Sequence, residues 1–367
     1  MKKRTIICLT MLLILSMTLS ACASGGSKSP SPSGGTPSGG SAPENAPELK
    51  AGAVLGVGGL GDQSFNDLVY AGLERAKSEL GVEFDYAEPK QASDFELFLR
   101  EMAVDGEYAV IIAIGFEQQD ALTTVAAEFP EQKFGFIDGV VEAPNIVSYT
   151  TSEEQASFLV GALAGLMKAD AASYGLGDTQ EIGFVGALDI PLINKFRAGY
   201  EAGARYVNPD ISVRGDYVGS FDDITTAKEI ANTMNANGAD IVYHAAGGAG
   251  LGVFQSATEK GGLAIGCNSN QNYIDPDHIM ASMLKRVDVI TFDIIQSAFT
   301  DGAFQGGATV EVGLSDEGVG YTCEQSNIAV SQEIIDQVEA LKDEIIKGTL
   351  TIPTEKDAVD AFLAENQ

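Results

Sequence analysis

Beyond residue 50 the chain alternates short apolar, β-rich runs with longer stretches whose apolar positions recur at helical spacing. A strand over 53–57, a helix over 64–80 and a strand over 82–86 open the series. They are followed by a strand over 109–114, a helix over 120–129 and a strand over 134–137. A second series repeats the order, with strand 182–185, helix 191–207, strand 213–218, helix 224–236, and strands 241–244 and 263–266. Such alternation predicts parallel βαβ units. Two series of similar length and order predict an α/β protein of two doubly wound parallel-sheet lobes facing each other. Ligands of such sheets bind beyond the carboxyl ends of the strands. That rule directs attention to the post-strand segments 56–66, 115–120, 247–254 and 266–271.

The amino terminus follows a different rule. Lys2, Lys3 and Arg4 precede an apolar run over 5–19 that is too short to span a bilayer as a helix and ends in Leu19-Ser20-Ala21-Cys22. This is the layout of a secretory signal over 1–21 whose last residues resemble a bacterial lipobox, with Cys22 as the lipidated residue. Residues 22–48 are rich in Ser, Gly and Pro and offer almost nothing to a core, so they read as a tether. As a flexible coil it would have a reach of about 25 to 30 Å. The expected location is therefore the outer face of the cell membrane.

Composition narrows the partners. About 320 residues remain after the tether, a length that suits two lobes better than one core. With 52 acidic against 22 basic residues the formal net charge is −30, and loss of Lys2, Lys3 and Arg4 with the signal makes it more negative by three. A field of that sign disfavours nucleic acid and acidic lipid surfaces but does not penalise an uncharged guest. Of the four cysteines, Cys8 lies in the signal and Cys22 at the lipobox. Cys267 and Cys323 remain, two isolated positions that suit buried thiols better than a disulfide framework. The two histidines, His244 and His278, stand at strand ends, and no metal-ligand or nucleophile motif accompanies them. No catalytic residue, metal or cofactor is expected. Gly56, Gly58 and Gly61 with Asp85 imitate a dinucleotide fingerprint, but a helix that starts only at Ser64 leaves Gly61 in the loop, where it cannot provide close helix-to-strand packing.

Several spaced motifs between Ala51 and Pro353 resemble the basic membrane protein family, whose members include purine nucleoside receptor lipoproteins of ABC importers. The motifs are Asp62-Gln63-Ser64-Phe65-Asn66, Gly115-Phe116, Glu128-Phe129-Pro130, the run from Phe134 to Asp138, the run from Gly247 to Phe254, and the run from Ser282 to Asp288. The resemblance implies the type I periplasmic-binding-protein fold, two lobes joined by a three-strand hinge that close on a ligand recognised by an ABC permease. It places lobe one at 49–149 with 272–301, lobe two at 150–271 with 302–353, and a C-terminal tail at 354–367. It also implies that Phe65 and Phe254 sandwich a purine, that Asn66 and Asp120 meet the base edge, and that Lys285 reaches the ligand or its acidic neighbour. Asp62 either holds its loop or touches the ligand, and Ser64 suits a helix cap. Each has a plainer reading: the two rings as core, Asn66 and Asp120 as first-turn residues, Lys285 as a solvated cation. The family usually carries Gly-Val-Asp-x-Asp-Gln where this chain has Gly266-Cys267-Asn268-Ser269-Asn270-Gln271. Asn268 therefore stands where an aspartate would accept ribose hydroxyls, and the ligand could differ. A sugar, a flavin-like ring or a signalling molecule on the same fold is the alternative, with an extracellular enzyme or adhesin more remote.

Overall fold

The computed structural model describes residues 50–367. The signal, Cys22 and the tether lie outside them.

Residues β1 (Lys50–Val54), β2 (Phe84–Ala87), β3 (Tyr108–Ile114), β4 (Phe134–Ile137) and β5 (Ile146–Thr151) build the first sheet. The second takes β6 (Glu181–Gly186), β7 (Ser212–Tyr217), β8 (Ile241–Ala245), β9 (Leu263–Gly266) and β10 (Ile279–Lys285). Of the last two strands, β11 (Thr309–Val312) joins the first sheet beside β5 and β12 (Val319–Thr322) joins the second beside β10. The strand orders are β11-β5-β4-β3-β1-β2 and β12-β10-β9-β8-β6-β7. Every pairing is parallel except that of β12 with β10. In both sheets the order reverses next to the first strand laid down, between β1 and β3 and between β6 and β8. Such a switch point splays the post-strand loops apart and leaves a crevice.

Helices α1 (Phe65–Leu80), α2 (Phe95–Asp105) and α3 (Gln119–Glu128) cover the first sheet. Helices α4 (Glu153–Ala169), α5 (Pro191–Val207), α6 (Ile224–Ala236) and α7 (Leu251–Lys260) cover the second. The chain crosses between lobes after β5, again from β10 into α8 (Val287–Phe299), which packs on α1, and finally between β11 and β12. Helix α9 (Gln332–Ile346) then packs on α4, and α10 (Val359–Asn366) on α5. Helix α4 is buried on almost every side. It meets α5 backbone to backbone, because a Cβ on Gly161 would strike the Tyr200 carbonyl and one on Gly203 the Phe158 carbonyl. Among the described residues no helix is long and apolar enough to cross a membrane.

Three expected boundaries change. The return expected over 272–301 is narrower at its start, since β10 pairs with β9 and β12 in the second sheet and the lobe-one segment begins with α8. It is also longer at its end, since residues 309–312 pair with β5 in the first sheet. An apolar run marks a strand but does not say which sheet the strand joins. Residues 354–367 are not a tail either: Val359, Phe362 and Leu363, spaced along one helical face, are buried in lobe two, and the Phe362 ring stands edge-on to Phe158 at 6.0 Å.

Candidate ligand-binding site

Loops from the carboxyl ends of both sheets surround a cavity of about 260 Å³ between the lobes. Lobe one contributes the segment after β1, the turn after β3 and Asp138 after β4. Lobe two contributes the start of α5, Phe221 and Asp222 after β7, Gly247 and Gly248 after β8, Cys267 and Asn268 after β9, and Lys285 at the end of β10.

The loop after β1 is held by Asp62. Its carboxylate accepts from the backbone N–H of Ser64 (2.9 Å), Asn66 (2.9 Å) and Asp67 (3.2 Å), and from Asn66 Nδ2 (3.1 Å). It thereby satisfies N–H groups that the first turn of α1 leaves without a partner. Burial pushes the Asp62 carboxyl above its ordinary range, against the pull of those N–H groups. Ser64, expected to cap α1, makes no capping bond. Its hydroxyl instead donates across the cleft to the Cys267 carbonyl (3.2 Å) and accepts from Asn268 Nδ2 (2.9 Å). Asn66 Oδ1 accepts from Gly56 N (2.9 Å), which closes the loop back onto the strand. Gln63, at φ 54°, turns its carbonyl toward lobe two, where it accepts from Ser269 Oγ (2.6 Å) and Gln271 Nε2 (3.1 Å), while its side chain bonds to the Tyr273 hydroxyl.

Lys285 forms the floor and does not offer a free ammonium. Its Nζ donates to both oxygens of Asp138 (2.6 and 2.7 Å) and to Glu153 Oε1 (2.9 Å), so one buried cation ties the end of β4 in lobe one to the start of α4. Lys195 approaches the far Glu153 oxygen at 3.7 Å. Burial pushes the Lys285 pKa down, but the two carboxylates outweigh it and hold the ammonium charged well above the ordinary range. The ammonium also lies 5.5 Å from the centre of the Phe65 ring and 5.7 Å from that of Phe196.

Of the residues expected at the site, Asp62, Phe65, Asn66, Asn268 and Lys285 line the cavity. Phe254 and Asp120 do not. A short turn over Gly247–Gly250 precedes α7, so it is Gly247, Gly248 and Leu251 that face the cleft. Phe254, 3% exposed, points into the lobe-two interior, its ring edge-on to His244 at 5.1 Å. The lobe-two rings that line the cavity are Phe196 and Phe221. Likewise a turn over Phe116–Gln118 precedes α3. Gln118 Nε2 pins that turn by donating to the Val54 (2.8 Å) and Ile114 (2.9 Å) carbonyls, leaving Glu117 on the cavity and Asp120 exposed on the outer side of α3. Phe221, Glu117 and Asp138 went unassigned in the sequence, although each follows a strand of its sheet, the signal that singled out the others.

The remaining candidates have settled roles. Gly61 lies at φ 94° with open space where a Cβ would be, so it does not bring a helix close to a strand. Gln271 Oε1 accepts from Cys267 N (2.7 Å), so it also accepts from His244 Nε2 at 3.0 Å; burial lowers the His244 pKa to about 4 and keeps the ring neutral. Cys267 and Cys323 are free thiols, and burial raises the Cys267 pKa to about 12. Among the described residues no group of three His, Cys, Asp or Glu side chains is placed to hold a metal ion. The cavity thus offers a guest aromatic faces, exposed glycine backbone and fixed polar atoms.

Known proteins share this design. Residues 49–356 match the Bmp family model, described as ABC transporter substrate-binding protein PnrA-like. An uncharacterized lipoprotein of Pyrococcus abyssi is 36% identical over 289 residues, covering 75% of this chain and 69% of its own length. The ABC transporter nucleoside-binding protein BmpA of Lactococcus lactis is 32% identical over 329 residues, covering 84% and 90%. The crystal structure of an ABC transporter solute-binding protein from Aeropyrum pernix superposes with a TM-score of 0.77 at 30% identity, covering 87% of this chain and 98% of that one. The chain therefore belongs to the Bmp family of ABC transporter substrate-binding proteins and has their type I two-lobed fold.

Proposed function

We propose that this substrate-binding protein captures a purine nucleoside in the interlobe cavity and delivers it to an ABC permease, tethered to the outer face of the membrane through lipidated Cys22. The observation that carries the reading is that Phe65 of lobe one and Phe221 of lobe two line the same cavity. Two apolar faces brought in from opposite lobes suit a flat heterocycle, and base–aromatic stacking contributes about 1 to 3 kcal/mol per base. Phe221 takes the role that the family resemblance implied for Phe254. The similarity to a relative named for nucleoside binding supports the same guest. Asn268, which lines the same cavity as Lys285 and Asp138, would meet the sugar hydroxyls. A ligand that bridges both rings stabilises the closed pair of lobes, which is the form a permease would select.

Titration calorimetry and thermal shift with adenosine, guanosine, inosine, free bases and riboflavin test the ligand. Saturable nucleoside binding that Phe65→Ala or Phe221→Ala weakens about tenfold or more is expected. A lack of response to every nucleoside, or unchanged affinity in both variants, overturns the purine assignment. Cys22→Ala should move the protein from the membrane to the soluble extracytoplasmic fraction.

A further inference from the structure

Which edge of the base the cavity reads depends on the purine reading above and on the state of the cavity's carboxylates. Among the described residues, four carboxylates line it, and three are engaged. Asp62 holds the N–H groups of α1, Asp138 grips Lys285, and Asp222 bonds to the hydroxyl of its neighbour Ser220. The Glu117 carboxylate has no hydrogen-bond or ion-pair partner among the described residues, and partial burial pushes its pKa up. The turn that carries it skirts the ring of Phe65, for a Cβ on Gly115 would lie 4.0 Å from Phe65 Cε1. A flat guest stacked on Phe65 therefore turns one edge toward this segment.

We propose that Glu117 is a specificity-determining residue that selects purines presenting two adjacent N–H donors, the 2-amino-6-oxo edge of guanine. An ionised carboxylate only accepts, and its two oxygens match two parallel N–H groups. Guanine supplies both donors from N1 and the 2-amino group. Hypoxanthine supplies N1–H alone, and adenine turns the bare lone pair of N1 toward the carboxylate.

The test is calorimetric titration of the detergent-solubilised full chain, wild type and Glu117→Gln, with guanosine, inosine and adenosine. The wild type should bind guanosine about tenfold more tightly than adenosine, with inosine between them. Glu117→Gln should weaken guanosine about tenfold and shift the other two by less than about threefold, at an unchanged melting temperature. Adenosine binding as tightly as guanosine to the wild type overturns the inference while leaving the purine reading intact. So does a Glu117→Gln variant in which all three affinities fall equally or none changes. Binding of none of the three defeats the purine reading, and the inference with it.

Discussion

The two walls of the cleft are built differently. On the lobe-one side, polar groups are tied to backbone before any ligand arrives: Asp62 to three N–H groups, Asn66 to Gly56, and Gln118 to the β1 and β3 carbonyls. On the lobe-two side, apart from Asp222, Asn268 and Lys285, the wall is Phe196, Phe221, Leu251 and bare glycine backbone, and Phe221 sits in a loop whose carbonyl accepts from Ala249 N (2.8 Å). One wall is a fixed template and the other an apolar cover. Preorganised polar groups set orientation without an ordering cost at binding, while an apolar cover adds affinity with little demand on direction.

Five substitutions break or sharpen that contrast. Lys285→Met removes the cation that serves both walls and leaves Asp138 and Glu153 buried without it. A stability loss of about 3 to 5 kcal/mol in urea titration is expected, larger than for any polar residue of one wall alone. Phe254→Ala should cost about 3 to 4 kcal/mol of stability as a core cavity, with ligand affinity retained in the folded fraction, whereas Phe221→Ala should lose affinity and keep stability. If Phe254→Ala weakened binding and Phe221→Ala did not, the lobe-two wall would be wrongly identified.

Glu154 probes the hinge below both walls. Burial raises its pKa to about 7, from 4.5, so the folded state favours the protonated form. Its contribution to stability is full below pH 4.5 and is lost as pH rises through about 7. Glu154→Gln should therefore flatten that fall and stabilise the protein at pH 8 by up to about 3 kcal/mol, read from melting curves across pH. The smallest effect belongs to Asn268→Asp, where a carboxylate, a charged acceptor, replaces the amide and the Nδ2 donor to Ser64 is lost. Nucleosides should bind about fivefold more tightly and free bases should not, if this residue meets the sugar.

Much of the scaffold was legible because its elements are amphipathic or short and apolar. Helices 191–207 and 224–236 and strands 134–137 and 263–266 stand where periodicity put them. Helix α4 has no such signature, because Phe158 to Met167 is apolar on every face, which removes the periodic signal that marks a surface helix. At the site, post-strand position identified the right segments, but individual residues depended on rotation. A single tight turn before α3 and another before α7 carry Asp120 and Phe254 away from the cleft, and such turns leave little trace in polarity. The interlobe bonds of Ser64 and the double grip on Lys285 join residues far apart in sequence, which local patterning does not reach.

The meeting of α4 and α5 at Gly161 and Gly203 has a mechanical corollary. With main chain resting on main chain there is no rotamer to yield, so the pair is a stiff beam running beneath the cover. Any swing of lobe two must bend the linkers at its end, and amides along that beam should be the last to exchange with deuterium while the mouth of the cleft breathes.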